Sequence, residues 1–276
     1  METVSGLLEV LGVVVLAVAG SFSGYLISKL RKPWWILGYF IPLILLIVIT
    51  LCRRIPEMGF VAPFSWIMAG RFEFVLFGPV ISMLLTTPLS RLEGEVKKVL
   101  VVSLMGFAVL FLSVLPFLLP VLMRSYHEKL ETVVDTEGVC LQSNGFNCGP
   151  ASAVTALKML GIEAEEGELA VLAYTSPVAG TPPDLLCDAL TQKYAEHGLK
   201  CRYRSFGSLS ELKNTEGVII AVIKFSFLID HYITVMEITD EHVIVGDPLK
   251  GKHSYTHDEF SEKWRRAGIV ITRNAH

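Results

Sequence analysis

Four apolar runs crowd the first 124 residues: Leu11 to Leu30, Trp34 to Cys52, Phe74 to Leu89 and Val99 to Met123. A helix needs about 20 predominantly apolar residues to cross a bilayer. In lipid such a run must satisfy its own backbone hydrogen bonds, which a helix does. These stretches therefore predict a bundle of about four transmembrane helices over residues 1–124. Glu9 precedes the first run and no Lys or Arg does, so the run does not read as a cleaved signal peptide. Arg31 and Lys32 flank its far end. The second run has Trp34 and Trp35 at one end and Arg53 and Arg54 at the other, the residue types that anchor helices at membrane interfaces. The third carries Pro79 and Pro88, which neighbouring helices can tolerate. Phe60 to Gly70 is apolar but short and contains Pro63, so it reads as an interfacial or re-entrant segment. Arg71 and Glu73 beside the third run read as interfacial charges that reach for water.

Four spans put both termini on one side of the membrane. The loops on the opposite side hold Lys29, Arg31, Lys32, Arg91, Lys97 and Lys98, against Arg53, Arg54, Arg71, Arg124 and Lys129 on the side of the termini. That difference leans toward termini outside the cytoplasm and does not fix the orientation. Composition changes near Arg124. Residues 1–124 hold 10 Lys and Arg against 6 Asp and Glu, a charge of +4, whereas residues 125–276 hold 14 against 21, a charge of −7. The second half has the composition of a globular domain, and its acidity argues against nucleic acid as a partner. The five cysteines are odd in number, and their spacing suits neither zinc nor a disulfide framework. Cys52 falls at a membrane boundary, and Cys187 and Cys201 are expected as small buried apolar residues. No metal-ligand cluster and no phosphate-binding glycine loop is present, so neither metal nor cofactor is expected, nor an ATPase in this chain.

The chemistry concentrates in Gln142-Ser-Asn-Gly-Phe-Asn-Cys148-Gly-Pro-Ala151. Pro150 to Leu160 reads as a helix, with proline in its first turn and Gly161 past its last. Cys148 thus lies at a helix N-terminus, where unpaired N–H groups and the helix dipole favour a thiolate, the attacking form of cysteine. Gln142 can offer its side-chain N–H₂ to a developing oxyanion beside the N–H of Cys148. Far downstream, His231 to Ile238 and His242 to Asp247 read as two strands joined by a polar turn over residues 239–241. Such a hairpin brings its outer ends together and makes His231 and Asp247 neighbours. Cysteine, histidine and aspartate in that order supply a nucleophile, a base and the group that orients the base. Cys140 is the rival nucleophile, but no Gly-Pro and helix follow it. His197 reads as a favourable cation at a helix C-terminus, His242 as a hairpin-turn residue, and His253 and His257 as solvated residues after the Asp-Pro loop.

Gln142, Cys148-Gly-Pro-Ala151, His231-Tyr232 and Asp247-Pro248 resemble the C39 cysteine peptidases, the family that includes the leader-cleaving domain of bacteriocin-exporting ABC transporters. Gly180-Thr181, Phe260 and Trp264 extend the likeness, which covers residues 125–276 and leaves 1–124 untouched. The resemblance implies a papain-like α+β domain, in keeping with helices that precede strands along this half. It implies a peptide or precursor-protein substrate, cut at a Gly-Gly-type leader, with Cys148, His231, Asp247 and Gln142 as the catalytic set. It also implies an integral protein of a bacterial cell membrane and a transporter or other membrane subunit as partner. Such leader-cleaving domains work in the cytoplasm, opposite to the lean of the loop charges. Two alternatives share these residues: a module that binds a leader without cutting it, and a thiol acyltransferase of the same fold.

Overall fold

The computed structural model describes residues 2–31, 33–89, 91–226 and 229–273; Lys32, counted among the flanking basic residues, lies outside them. The chain forms two compact units. One comprises Met1–Ile55 and Ala62–Leu122, the other Pro56–Val61 and Met123–His276.

The first unit is helical, with α1 (Glu2–Ser28), α2 (Leu37–Arg54), a short α3 (Phe64–Ile67), α4 (Phe72–Leu89) and α5 (Glu95–Val109). A π-helical turn, Leu110–Val114, joins α5 to α6 (Leu115–His127), whose residues from Met123 on belong to the second unit. Gly6–Ser28, Trp34–Arg54, Phe72–Leu89 and Glu95–His127 are long and apolar enough to cross a membrane. Leu11, Leu26, Phe40, Ile44 and Phe107 lie exposed on these helices, as a lipid-facing surface would have them. Helices α1 and α4 touch backbone to backbone. A Cβ on Gly20 would stand 2.3 Å from the Pro79 carbonyl oxygen, and one on Gly24 would stand 2.6 Å from that of Met83. Close approach through small residues is how helices associate where no hydrophobic effect separates protein from solvent.

Arg71 and Glu73 do not reach for water. Arg71 is buried, and its Nη2 donates to Glu9 Oε2 at 2.7 Å. Glu73 is buried as well and takes a two-pronged contact from Arg53, with N···O distances of 2.7 and 2.8 Å. Each charge found a partner on another helix, which sequence spacing could not show. A paired charge at the end of a bundle costs far less than a lone one.

In the second unit, β1 (Val133–Val134) and β2 (Cys140–Leu141) form a small antiparallel ladder ahead of α7 (Cys148–Met159), α8 (Glu166–Leu172) and α9 (Pro183–Lys193). Then follow β3 (Leu199–Ser205), α10 (Leu209–Lys213), β4 (Val218–Ser226), β5 (Ile229–Ile238), β6 (His242–Asp247), β7 (Gly251–Thr256), α11 (His257–Lys263) and β8 (Trp264–Arg273). Six of these strands form one antiparallel sheet in the order β3-β8-β4-β5-β6-β7. Strand alternation gives the sheet two buried faces. Ile220 and Val222 of β4 pack with Leu157, Leu169, Leu186 and Leu190 of α7–α9. Ile219, Ala221 and Ile223 face the other way, with Leu212, Phe260 and Trp264. The chain is therefore a bundle of long apolar helices followed by an α+β domain.

Three sequence expectations need correcting in this unit. Cys187 on α9 and Cys201 on β3 are joined by a disulfide, with Cα atoms 5.1 Å apart. His253 lies on strand β7, with its Nδ1 3.4 Å from the Gly251 carbonyl oxygen, and not in a solvated loop. The sequence pattern predicts one short helix over Asp258 to Arg266, but α11 ends at Lys263 and Trp264 opens the last strand.

Candidate active site

Cys148 is the first residue of α7, and Asn147 precedes it as the N-cap. The thiol is free and partly exposed, while Gly149, Pro150 and Ala151 behind it are buried. Two hydrogen bonds dock the helix on β5: Ser152 Oγ donates to the Tyr232 carbonyl at 3.0 Å, and Thr234 Oγ1 donates to the Ser152 carbonyl at 2.8 Å. Gly149 is held by contact with the loop before α9. A Cβ there would stand 2.7 Å from Thr181 Cβ. Thr181 is itself fixed, since its hydroxyl lies 2.9 Å from that of Thr175 and its carbonyl accepts the Tyr232 hydroxyl at 3.0 Å. Cys-Gly and Gly180-Thr181, far apart in sequence, are two sides of one packed joint.

His231 and Asp247 sit on the neighbouring strands β5 and β6, and His231 Nε2 is 2.7 Å from Asp247 Oδ1. The side chain of Cys148 lies close enough to His231 to favour its charged form. With Nε2 held by Asp247, Nδ1 is the ring nitrogen left for the thiol. His231 is 5 % exposed and Asp247 2 %. Burial opposes charge on His231, but the hydrogen bond to Asp247 and the nearby Cys148 side chain, with their charges, outweigh it and raise its pKa to about 9. For Asp247 burial pushes upward. The hydrogen bonds from His231 and from the Leu249 N–H, with the charges of His231 and His253, prevail and hold it below the ordinary carboxylate value. The exposed ring of Phe225 lies 5.6 Å from that of His231.

Cys140 is fully buried, and its N–H donates to Thr155 Oγ1 at 2.9 Å. Burial first, then the nearby charges of Glu166, Glu165 and Asp135, push its thiol up to about 12. It stays protonated at neutral pH and is the poorer nucleophile on physical grounds.

Gln142 lies at the edge of the same site. Its backbone N–H donates to the Pro248 carbonyl at 3.0 Å, which ties it to the loop that carries Asp247. Its side-chain Nε2 donates to the Asn144 carbonyl. A carboxylate that the sequence reading overlooked lies beneath this loop. Glu166, fully buried at the start of α8, accepts from the Ser143 N–H at 3.0 Å, the Ser143 hydroxyl at 2.6 Å and Asn147 Nδ2 at 2.9 Å. Glu165 and Glu166 read in sequence as ordinary charges in a first helical turn. Only the fold turns one of them inward.

The Peptidase C39 family model matches residues 136–276. An uncharacterized protein of Methanothermobacter thermautotrophicus is 31 % identical over 144 residues, covering 52 % of this chain and 94 % of its own length. One of Methanothermobacter marburgensis is 27 % identical over the same length, with the same coverage. Among solved structures, a double glycine motif protease from an AMS/PCAT transporter, in complex with its leader peptide, is similar at a TM-score of 0.41 and 18 % identity, covering 52 % of this chain and 93 % of that one. The peptidase domain of Streptococcus ComA is similar at 0.42 and 23 %, covering 49 % and 96 %.

Proposed function

Because this chain belongs to the peptidase C39 family, we propose that it is a membrane-anchored cysteine peptidase. On this reading residues 125–276 cut a peptide or precursor protein after a Gly-Gly-type leader, and residues 1–124 hold them at the bilayer. One observation carries the reading: His231 is hydrogen-bonded to Asp247 at 2.7 Å and stands close enough to Cys148 for that side chain to favour its charged form. Cys148 as thiolate attacks the scissile carbonyl carbon. The C–N bond then breaks, and the leaving amine takes the proton that His231 holds. Water, deprotonated by His231, hydrolyses the resulting thioester. Asp247 keeps the imidazole in one orientation and tautomer. One hydrogen of the Gln142 amide is engaged by Asn144, and the other joins the Cys148 N–H in stabilising the oxyanion.

The second unit works on the non-cytoplasmic side of the membrane. The Cys187–Cys201 bridge supports this, since disulfides persist in oxidising compartments. The loop charges lean the same way. The substrate then meets the enzyme after export, directly or through a transporter partner.

The test uses the full chain in mild detergent with peptides that contain an internal Gly-Gly pair. Mass spectrometry should find two fragments whose masses sum to peptide plus water, with and without an added primary amine. Cys148→Ala should yield none. Amide products in the presence of amine would make the protein an acyltransferase. Intact peptide after incubation with a wild-type protein whose Cys148 still reacts with iodoacetamide would make it a binding module.

A further inference from the structure

Two groups are assigned above to the oxyanion, the Gln142 amide and the Cys148 N–H. Gln142 and Cys148 are separated by five residues, in a loop with no regular hydrogen bonding of its own. The residue after Gln142 and the residue before Cys148 are bonded to the same carboxylate. Glu166 Oε1 takes the Ser143 N–H at 3.0 Å and Asn147 Nδ2 at 2.9 Å, and its Oε2 takes the Ser143 hydroxyl at 2.6 Å. Resting on the proposed catalytic reading, we infer that Glu166 is a positioning residue which sets the spacing of the two oxyanion donors.

Several features support a built device. Glu166 has no exposed surface, and a buried carboxylate is costly unless hydrogen bonds satisfy it. Here both oxygens are occupied, and every donor comes from the one loop that bears the site. Glu166 is also anchored through its backbone: its N–H donates to Thr132 Oγ1 at 2.8 Å, just before β1. Beneath the loop, the His127 ring stands edge-on to Phe146 with centroids 6.0 Å apart. The loop is thereby pinned at Ser143, Phe146 and Asn147. Glu166 touches neither Cys148 nor His231 through any of these bonds, so it acts on the donors and not on the nucleophile–base pair.

That separation gives the test. Iodoacetamide alkylates a thiolate by displacing iodide and creates no oxyanion. With p-nitrophenyl acetate, Cys148 Sγ adds to the ester carbonyl, the oxygen becomes an oxyanion, and the C–O bond breaks to release p-nitrophenolate and leave an acetyl thioester. Both rates are followed at the Cys148 peptide by mass spectrometry, on the full chain in detergent. In Glu166→Ala the Ser143 N–H and the Asn147 amide lose their acceptor. The acylation rate should fall by about 10-fold or more, short of losing a whole oxyanion donor. Alkylation should stay within about 2-fold of wild type, since nothing it uses has moved. Glu166→Gln should restore acylation, because its one oxygen can still accept both N–H groups while the Ser143 hydroxyl turns to accept from the amide. An unchanged ratio of acylation to alkylation in Glu166→Ala overturns the inference, as does failure of Glu166→Gln to restore it. Should Glu166→Ala not fold, Asn147→Ala removes the bond beside Cys148 alone and must lower the same ratio; an unchanged ratio there overturns the inference equally. A wild-type Cys148 that alkylates but is never acylated would sink the catalytic reading itself, a result distinct from any difference between variants.

Discussion

At neutral pH His231 carries its proton, because Asp247 and Cys148 together outweigh the cost of burying the charge and hold its pKa near 9. A peptidase of this design needs that proton for the leaving amine, so kcat/KM should fall as pH rises through about 9. Asp247→Asn removes the carboxylate's charge and should move that alkaline limb downward by a measurable fraction of a pH unit or more, toward the ordinary histidine value of 6.5. A limb that stays near 9 in the variant would assign it to another group. The same shift bears on stability. The folded pKa of about 9 exceeds the ordinary 6.5, so the charge on His231 stabilises the fold fully below pH 6.5 and that contribution is lost as pH rises through 9. Asp247, held below its ordinary 3.8, contributes above that pH and loses its contribution as pH falls. The order of Cys148, His231 and Asp247 was legible in sequence because each stands at the boundary of a strongly patterned element. Glu166 was not legible, because an inward-facing glutamate in a first helical turn looks like any outward-facing one.

The hairpin of β5 and β6 could be read from its β-branched residues and the polar turn between them, and it alone brings His231 to Asp247. Strand β7 could not. Lys252, Ser254 and Thr256 are exposed on it at the sheet's edge, and a polar edge strand carries almost no hydrophobic signal. The link between α9 and β3 was equally hidden, since Cys187 and Cys201 become neighbours only once the chain turns back after α9. The bridge closes a loop with a sequence separation of 14, and loops of that size gain about 3 kcal/mol from a disulfide. Protein isolated under thiol-trapping conditions should give a linked Cys187–Cys201 peptide. Reduction should lower unfolding stability by about 3 kcal/mol, read from the fluorescence of Trp264 in the second unit of a chain whose other tryptophans are replaced. Two alkylated peptides and an unchanged midpoint would show that the bridge does not form.

Across the whole molecule, composition separates what is built for lipid from what is built around a core. The apolar runs marked the long helices, but the first helix begins at Glu2 and not at Leu11, and the last runs over Glu95–His127 and not from Val99 to Met123. Their internal ties were not readable. Gly20 against Pro79, Glu9 with Arg71 and Arg53 with Glu73 depend on which helices lie side by side, and a one-dimensional pattern cannot say that. The family model matches residues 136–276, all within the second unit. The central claim concerns the second unit, and it makes a covalent intermediate obligatory. The direct measurement is an acid quench of the full chain during turnover of a Gly-Gly peptide, followed by mapping of the adduct. The account predicts the leader fragment in thioester linkage to Cys148, accumulating when hydrolysis is slowed and absent in Cys148→Ala. Cleavage with no adduct on Cys148, or with the adduct on Cys140, would contradict it.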